Sequence, residues 1–346
     1  MSSVTIIVNN YNYARYVGAA IDSALAQDAE GVEVVVVDDG SGDASRHIIA
    51  GYGDRVVAVM KDNGGQASAF NVGFAVATGE IVVFLDADDL LDASISTRLV
   101  KTFADDPALA LVQYRLRMVD GDGASLGAIR PPHADVMPSG DLSQHVLRYR
   151  SYHWQPTSGN AYAASALRRI LPVPESTYRV SADAYLAALI PLCGRIRSLD
   201  VVGGSYRVHG TSNFSAKTID GAFFRSRLRH IDAGHEAVRR LAPALGVAPP
   251  ALDPASLLDA AYLTFRLGSL VVDPSGHPYR GDTRARLASR GIHASLVNPM
   301  YRWRNRARRV AWFAAAGFAP RTMARRAVLA HTPDTPARRT RLLDGH

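Results

Sequence analysis

Cysteine is nearly absent from this chain, which has Cys193 as its single example in 346 residues. One cysteine excludes an intramolecular disulfide and a zinc site built from several thiolates. No apolar run reaches the ~18–20 residues that a membrane-spanning helix needs. The N-terminal residues show neither a basic stretch nor a long apolar stretch, so we expect no signal peptide. We therefore expect a cytoplasmic protein, with peripheral binding to the inner face of the cell membrane left open.

Most of the chain has no excess of basic over acidic residues. Residues 1–279 hold 24 Lys+Arg and 29 Asp+Glu, a net charge of −5. Residues 280–346 hold 15 arginines, no lysine and 3 acids, a net charge of +12. The overall charge of +7 is thus a property of the C-terminal segment. Such asymmetry indicates an anionic partner, either a membrane surface or nucleic acid.

One short apolar run that is present leads directly into a cluster of acids. Ile81–Leu85 is followed by Asp86, Asp88 and Asp89. The run predicts a buried strand, so the acids lie at its carboxyl end, the edge at which open α/β sheets bind ligands. Two carboxylates one residue apart can hold a hard divalent cation, which can bridge the phosphates of a nucleotide. This stretch indicates an enzyme that uses a phosphate-bearing donor.

The first third of the chain alternates between strand and helix patterns. The strand candidates are Val4–Val8, Glu33–Val37, Arg55–Met60 and Ile81–Leu85, and the helix candidates are 14–27, 43–51 and 66–77. This rhythm predicts an α/β fold with a Rossmann-like, mostly parallel sheet, helices on both faces and right-handed crossovers.

The pattern changes after the fourth strand. We predict a helix near 93–104, a strand near 109–115, a hairpin turn at Asp120–Gly123, helices over 141–149 and 182–190, and a strand pair over 195–208. The region 219–330 is predicted to be mostly helical, with a break at Ala248–Pro250 before a helix near 255–270.

Polar clusters follow the predicted strands, so Tyr11, Asp39, Asp86 and Asp88 converge on one edge of the sheet. Taken alone, residues 38–41 are typical of a turn with a helix cap, because Asp and Ser favour both. Their placement beside the other clusters favours a shared ligand site.

This ordered series of motifs resembles glycosyltransferase family 2, whose members have the GT-A fold. The matching stretches are Val4–Asn12, Val37–Ser41, Asn63–Gly65, Asn71–Gly73 and Thr78–Glu80 leading to Asp86–Asp88. A weaker resemblance continues through Gly159–Asn160, Ala182–Asp183 and Tyr206–Gly210. It implies a GT-A domain over 1–215, with a donor half (1–115) and an acceptor half (116–215). A helical C-terminal region over 216–346 follows.

The resemblance implies a role for each residue of the donor site. Tyr11 stacks on the nucleobase, and Asp39 accepts a hydrogen bond from the base imide, which suits UDP and also dTDP. Asp88 binds Mn²⁺ or Mg²⁺ directly, and Asp86 contacts the metal or the donor's ribose and sugar. Gln66 contacts the donor sugar or phosphate, with a surface position at a helix start as the alternative.

The resemblance also makes Asp183 the general base of an inverting reaction. A sugar hydroxyl is a poor nucleophile near neutral pH, and a positioned carboxylate can take its proton during attack. The leaving diphosphate needs no general acid if a divalent metal takes up its charge. An acid that opens a helix is also a common cap, which is the alternative reading of Asp183.

Three further residues are candidates. The resemblance implies that His209 approaches the metal or diphosphate, although a lone histidine is often structural. Arg207 is the alternative group to steady the phosphate charge. Trp154 begins a stretch, 154–160, that is a candidate wall for the acceptor sugar, with a core position as the alternative.

Residues 299–330 interleave arginines with aromatic residues. On a helix they separate into two faces, one with Trp303, Ala307, Val310 and Ala314 and the other with Arg302, Arg306 and Arg309. This is typical of a helix on an anionic membrane surface, and a core-packed helix pair is the alternative. No nucleic-acid-binding motif accompanies the charge, so nucleic acid is not the expected partner.

The sequence thus predicts an inverting, metal-dependent glycosyltransferase acting in cell-surface polysaccharide synthesis. It would transfer a sugar from a nucleoside diphosphate donor to a glycan or a lipid-linked acceptor. A nucleotidyltransferase is disfavoured because no glycine-rich, basic phosphate loop follows the first strand. A catalytically degenerate GT-A module that binds glycan or acts as a scaffold is disfavoured because Asp39, Asp86, Asp88 and Asp183 are all present.

Overall fold

A computed structural model describes residues 3–133, 135–209, 219–247 and 258–331 of the chain. The chain forms two compact units: the first comprises Met1–Ser143 and His153–His209, and the second comprises Gln144–Tyr152 and Gly210–His346. The predicted domain boundary at residue 215 lies outside the described residues. The predicted division of the first domain at residue 115 stays a prediction.

The first unit is built around one sheet. Its strands are β1 (Val4–Asn10), β2 (Val32–Asp39), β3 (Val57–Lys61), β4 (Ile81–Asp86), β5 (Leu90–Leu91), β6 (Leu109–Val119), β7 (Ser125–Arg130), β8 (Asn160–Ala163) and β9 (Arg195–Arg207). They are ordered β3-β2-β1-β4-β8-β6-β9-β5, with β7 beside β6. The helices up to residue 189 are α1 (Val17–Leu25), α2 (Ser45–Ala50), α3 (Gln66–Val76), α4 (Ile95–Asp105), α5 (Ser143–Tyr149), α6 (Ala164–Leu167) and α7 (Ala182–Leu189).

The donor-side half of the sheet is parallel, as predicted. Strand β1 pairs in parallel with β2 and β4, and β2 pairs in parallel with β3. Strands β1, β2 and β4 are rich in buried valine, isoleucine and leucine, as expected of strands covered on both faces. Because they run in the same direction, their last residues, Asn10, Asp39 and Asp86, lie at one edge. This edge positions the candidate site.

The predicted strand pair over 195–208 is wrong. Residues Arg195–Arg207 form the single strand β9, which pairs in parallel with β6 and, near its end, antiparallel with β5. Gly203 and Gly204 do not make a turn there. A Cβ on Gly203 would meet the Tyr114 ring, and one on Gly204 would meet the Leu90 carbonyl oxygen. These glycines therefore allow close packing within the sheet rather than a reversal of the chain.

The acceptor-side half also differs from the prediction in two details. Strand β6 continues to Val119 because the hairpin at Asp120–Gly123 pairs it with β7. Strand β8 was not predicted, and it lies antiparallel between β4 and β6. Its four residues are too few to show a periodicity in the sequence.

The second unit is helical, as predicted. Its later helices are α8 (Gly221–Leu241), α9 (Ala260–Val272), α10 (Arg284–Val297), α11 (Trp303–Phe318) and α12 (Arg321–His331). Helices α8, α9 and α10 begin after Asp220, Asp259 and Thr283, whose side chains accept backbone N–H bonds as N-caps. The predicted break at Ala248–Pro250 lies outside the described residues.

A separate hydrophobic core holds these helices together. It contains Phe224, Leu267, Leu287, Trp312 and Phe313, all buried. The core-packed alternative for the C-terminal segment is thus correct for one face of α11. None of the helices in the described part of the chain combines the length and the apolar character needed to cross a membrane.

Candidate active site

The ends of β1 and β4 are tied together by asparagine side chains. Asn9 Nδ2 donates to the Leu85 carbonyl and to Asp86 Oδ1, both at 2.9 Å. The buried Asn10 donates from Nδ2 to Asp38 Oδ2 at 2.9 Å. Asn9 thus fixes the end of β1 to β4, and Asn10 fixes it to β2. Tyr11 itself follows them with 44% of its surface exposed, and base stacking stays a prediction.

Asp38 and Asp39 have different surroundings. Asp38 is fully buried and receives bonds from the Ser41 backbone N–H at 3.0 Å and Arg46 Nε at 2.8 Å. Burial alone would raise the pKa of Asp38, but the hydrogen bonds from Ser41, Arg46 and Asn10 outweigh it and lower that pKa. The prediction that residues 38–41 form a turn therefore fits Asp38, which fixes the loop after β2.

The Asp39 carboxylate is saturated from within the protein. Oδ1 accepts from Lys61 Nζ at 2.5 Å and from the Gly64 N–H at 2.9 Å. Oδ2 accepts from the Gly65 N–H at 2.6 Å and from Asn63 Nδ2 at 3.2 Å. A carboxylate offers about four lone-pair positions, so a base imide must displace one of these donors. Sequence reasoning missed Lys61, which has only its place at the end of β3 as a signal.

The acids after β4 crowd one another. Burial, together with the charges of Asp88 and Asp183, raises the pKa of Asp86 to about 7. Burial and the charges of Asp88 and Asp86 raise the pKa of Asp89 well above its usual value. Asp89 has internal partners, since it accepts from Ser158 Oγ at 2.7 Å and from the Arg207 backbone N–H at 2.9 Å. It therefore acts as a positioning acid that links β4 to β9.

His209 meets Asp88 directly. Its Nε2 lies 2.9 Å from Asp88 Oδ2, and the ring is buried. The ring packs against Tyr13 and Tyr16, with centroid distances of 5.7 and 5.1 Å. Burial and the nearby acids, Asp88 first among them, raise the pKa of Tyr13. Neither tyrosine was singled out from the sequence, although both fall within four residues of the Tyr11 motif.

The Arg207 guanidinium donates hydrogen bonds to backbone carbonyls. Its Nε donates to the Asp88 carbonyl at 2.8 Å, and Nη1 donates to the Asp120 and Gly121 carbonyls at 3.3 and 3.2 Å. The guanidinium also lies 4.9 Å from the Tyr16 ring centroid. These contacts hold the loop that carries Asp88. Contact between Arg207 and a donor phosphate stays a prediction.

Gln66 connects the acid cluster to the helix that carries Asp183. Its Nε2 lies 3.3 Å from Asp86 Oδ1, and its Oε1 accepts the Ala182 backbone N–H at 3.0 Å. Ala182 begins α7, and Asp183 lies in the first turn of that helix. The alternative, that Gln66 is a surface residue at a helix start, does not account for these two side-chain contacts.

Asp183 shows features of both readings proposed for it. Its Oδ1 accepts the Ala184 N–H at 2.9 Å, as a cap would. Gln66 joins Asp86 to the N–H of the neighbouring Ala182, and the charge of Asp183 contributes to the raised pKa of Asp86. The structure thus brings Asp183 to the acid cluster.

Trp154 is 40% exposed, which excludes the core alternative for this residue. The short helical turn that follows it, Thr157–Gly159, carries Ser158 against the cluster. Ser158 Oγ accepts the Asp86 backbone N–H at 3.1 Å while donating to Asp89. Contact between Trp154 and an acceptor sugar stays a prediction.

The residues present fit a divalent cation that is shared with a phosphate ligand. Within the described ranges, no group of three or more His, Cys, Asp or Glu side chains could hold a metal ion by itself. Mg²⁺ is commonly held by one or two carboxylates together with substrate phosphates rather than by a complete protein cage. Asp86 and Asp88 supply such a pair, and their mutual repulsion is what a cation relieves. His209 is the adjoining nitrogen donor.

Comparisons with known proteins find glycosyltransferases. Residues 5–154 match the family model described as Glycosyl transferase family 2. An uncharacterized glycosyltransferase of Nostoc sp. is 35% identical over 215 residues, which is 61% of this chain and 66% of the relative. The chondroitin synthase of Pasteurella multocida is 37% identical over 162 residues, 45% of this chain and 17% of the synthase. The chain thus spans 66% or less of these relatives' length.

A solved structure shares the fold. The crystal structure of S. aureus TarS 1–349 in complex with UDP-GlcNAc is 19% identical, with a TM-score of 0.54, and the match covers 99% of this chain and 92% of that one. At this identity the likeness concerns the fold alone, which is that of the GT-A glycosyltransferases. Residues 5–154 thus match glycosyltransferase family 2, and the relatives of this chain are glycosyltransferases.

Proposed function

We propose that this chain is an inverting, metal-dependent glycosyltransferase. It transfers a sugar from a nucleoside diphosphate donor to the hydroxyl of a glycan or lipid-linked acceptor. The observation that carries the proposal is the meeting of Asp86, Asp88 and Asp183 at one sheet edge, with Gln66 bonded to Asp86 and to the start of α7. Asp86 and Asp88 suit a cation that binds phosphates, and Asp183 suits the acceptance of a proton.

The donor base is uracil, with thymine as the second choice. Tyr11 offers an exposed ring for stacking. Asp39 accepts the imide N–H after Lys61 swings away, because a flexible ammonium is easier to move than the Gly64 and Gly65 amides. The base carbonyl beside the imide can then accept from Lys61. The uridine nucleotide sugar named in the TarS structure supports this choice of donor.

The reaction is a single displacement. The acceptor oxygen attacks the anomeric carbon on the face opposite the diphosphate, and the carbon–oxygen bond to the diphosphate breaks as the new bond forms. The electron pair leaves with the nucleoside diphosphate, and the acceptor proton passes to Asp183. A divalent cation at Asp88 and Asp86, Mn²⁺ or Mg²⁺, would stabilise the charge that develops on the leaving group. Attack from the opposite face inverts the anomeric configuration.

The acceptor is a growing cell-surface polysaccharide or its lipid-linked precursor. The chondroitin and hyaluronan synthases of Pasteurella multocida, both 37% identical over 162 residues, support the polysaccharide class. Trp154 is exposed and can stack on a sugar ring of such an acceptor. The basic segment 299–330 adds an anionic membrane surface as a second partner of a peripheral cytoplasmic enzyme.

A panel of nucleotide sugars, each with and without Mn²⁺, tests the proposal by thermal unfolding and by release of nucleoside diphosphate. The correct donor at 100 times its dissociation constant should stabilise the fold by about 2.7 kcal/mol. Replacing Asp88 by Asn should abolish release of the diphosphate, because the cation loses its main ligand. Asp105→Asn, at an exposed acid on α4, is the matched control and should leave release unchanged.

Two outcomes would contradict the proposal. Release of inorganic pyrophosphate from a nucleoside triphosphate and a sugar phosphate would identify a nucleotidyltransferase. Glycan binding without turnover of any donor in the panel would identify a non-catalytic GT-A module.

A further inference from the structure

The outward side of α11 carries an apolar stripe. Trp303, Ala307, Ala311, Ala314 and Phe318 are spaced four, four, three and four residues apart, which places them along one side of a helix. Trp303 is 72% exposed and Phe318 is 57% exposed, and they stand at the two ends of the stripe.

This stripe is not the side that holds the helix in place. The buried residues of α11 are Trp312, Phe313, Ala316 and Gly317, and they pack into the core of the second unit. Gly317 allows close approach to α10, since a Cβ there would meet Ala288. Helix α11 is therefore apolar on two sides, and only one of them is needed for folding.

Arginines border the stripe. Arg304 and Arg308 are exposed and lie beside it on α11, and the first turn of α12 adds the exposed Arg321. Residues 280–331 contain twelve arginines, no lysine and a single carboxylate, Asp282. Asp282 is buried and bonded to Arg266 and His277. The segment therefore presents positive charge that its own acids do not neutralise.

We propose that the outward side of α11, together with the first turn of α12, docks on an anionic lipid bilayer. Trp and Phe side chains insert at the boundary between headgroups and acyl chains, and the alanines between them let the helix lie close to the surface. The arginine forks match lipid phosphates in geometry and charge. The proposal is independent of the proposed reaction, because every residue it uses lies outside the candidate active site.

Charge and chemistry favour a bilayer over other occupants. A second copy of the chain would bring one arginine-rich face against another, which charge repulsion opposes. Nucleic acid would satisfy the arginines but would leave the alanine stripe without an apolar partner. A bilayer surface satisfies both, because phosphates and hydrocarbon lie within a few ångströms of each other at its interface.

Co-sedimentation of the full chain with vesicles tests the proposal. Phosphatidylcholine vesicles with added phosphatidylglycerol should pellet the protein, and phosphatidylcholine alone should pellet it weakly. The double variant Trp303→Ser/Phe318→Ser should lower the partition coefficient by about ten-fold or more, because two apolar side chains no longer leave water. Arg304→Gln/Arg308→Gln should lower it by about five-fold per arginine, with the loss shrinking at high salt.

Matched controls use equally exposed residues of the first unit. Val136, which is 75% exposed, is replaced by Ser, and the exposed Arg98 by Gln, and both variants should pellet like the wild type. Thermal unfolding checks that each variant is folded. Substitutions are preferred to a truncation near 298, which would remove Trp312 and Phe313 from the core.

Three results would overturn the proposal. One is equal pelleting of the wild type and the Trp303→Ser/Phe318→Ser variant. Another is a solution dimer that the same variant dissociates, which would assign the stripe to a second copy. The third is tighter binding to single-stranded DNA than to anionic vesicles, lost in the same variant, which would assign the surface to nucleic acid.

Discussion

Two carboxylates with little exposure, Asp86 in the first unit and Asp282 in the second, have opposite surroundings. Asp86 lies near Asp88 and Asp183, and burial with these charges raises its pKa to about 7. Asp282 bonds with Arg266 at 2.7 Å and His277 at 3.1 Å, and although burial opposes it, these bonds lower the pKa of Asp282. Crowded acids are common where a ligand supplies positive charge, so we propose that Asp86 is a functional acid and Asp282 a structural one.

Two other acids of the second unit, Asp232 and Asp259, also have hydrogen-bond partners within the unit. Asp232 accepts hydrogen bonds from the Tyr262 and Tyr279 hydroxyls, the former at 2.6 Å. Asp259 caps α9 and lies 3.0 Å from His235 Nε2. Each of these carboxylates fixes one helix against another. Asp232, Asp259 and Asp282 thus stabilise the packing of the second unit.

The largest effect should come from removing an acid of the first unit. Asp183→Asn should lower kcat by about 10²- to 10⁴-fold, because the acceptor hydroxyl loses the group that takes its proton. The free energy of unfolding should hardly change. Release of nucleoside diphosphate and urea unfolding measure the two quantities. Full activity of the variant would leave Asp183 with its capping bond to Ala184 as its only role.

Removing Asp282, the acid that is paired with Arg266, should lower stability rather than activity. Asp282→Asn should destabilise the chain by about 1–3 kcal/mol, because the partly buried Arg266 loses a charged hydrogen-bond acceptor. The matched control is Asp273→Asn, whose ion pair with Arg225 is partly exposed, so its loss should destabilise the chain less. Urea unfolding at neutral pH compares the two variants. An equally small loss of unfolding free energy in both variants would show that Asp282 is not a structural acid.

The smallest effect is a dependence on pH. The pKa of Asp282 is lower in the folded chain than in the unfolded one, so its stabilisation is complete above pH ~4 and is lost as pH falls through the folded pKa. The gap in unfolding free energy between the wild type and Asp282→Asn should therefore narrow on going from pH 7 to pH 3. Denaturant titrations at the two pH values measure it. A gap that widened in acid would show that Asp282 is not held as a carboxylate.

The sequence predicted the donor half of the sheet because the relevant signals are local. Apolar runs of strand length end in polar residues at Asn10, Asp39 and Asp86, and parallel pairing follows from the helices between them. The resemblance to a family then assigned roles to these strand ends. Helical content after residue 219 was predicted for the same reason.

Contacts formed by distant segments were not predicted. Ser158 reaches Asp86 and Asp89 across some seventy residues, and nothing near it in the chain signals a partner. Lys61 on Asp39 and the bonds of Arg207 to backbone carbonyls likewise depend on how strands pair. The single strand β9 was not predicted, because the close packing of its glycines against Tyr114 and Leu90 exists only once the sheet is assembled.

The Gln66 side chain has a further consequence, which concerns the order of substrate binding. Its amide nitrogen rests on Asp86, and its carbonyl oxygen holds the first N–H of α7. Any ligand that draws Asp86 toward a cation therefore pulls on the helix that presents Asp183. We expect the donor to bind first and to set the base in place for the acceptor. A compulsory sequence of this kind makes the position of Asp183 depend on the donor, so the base is set in place only when there is a sugar to transfer.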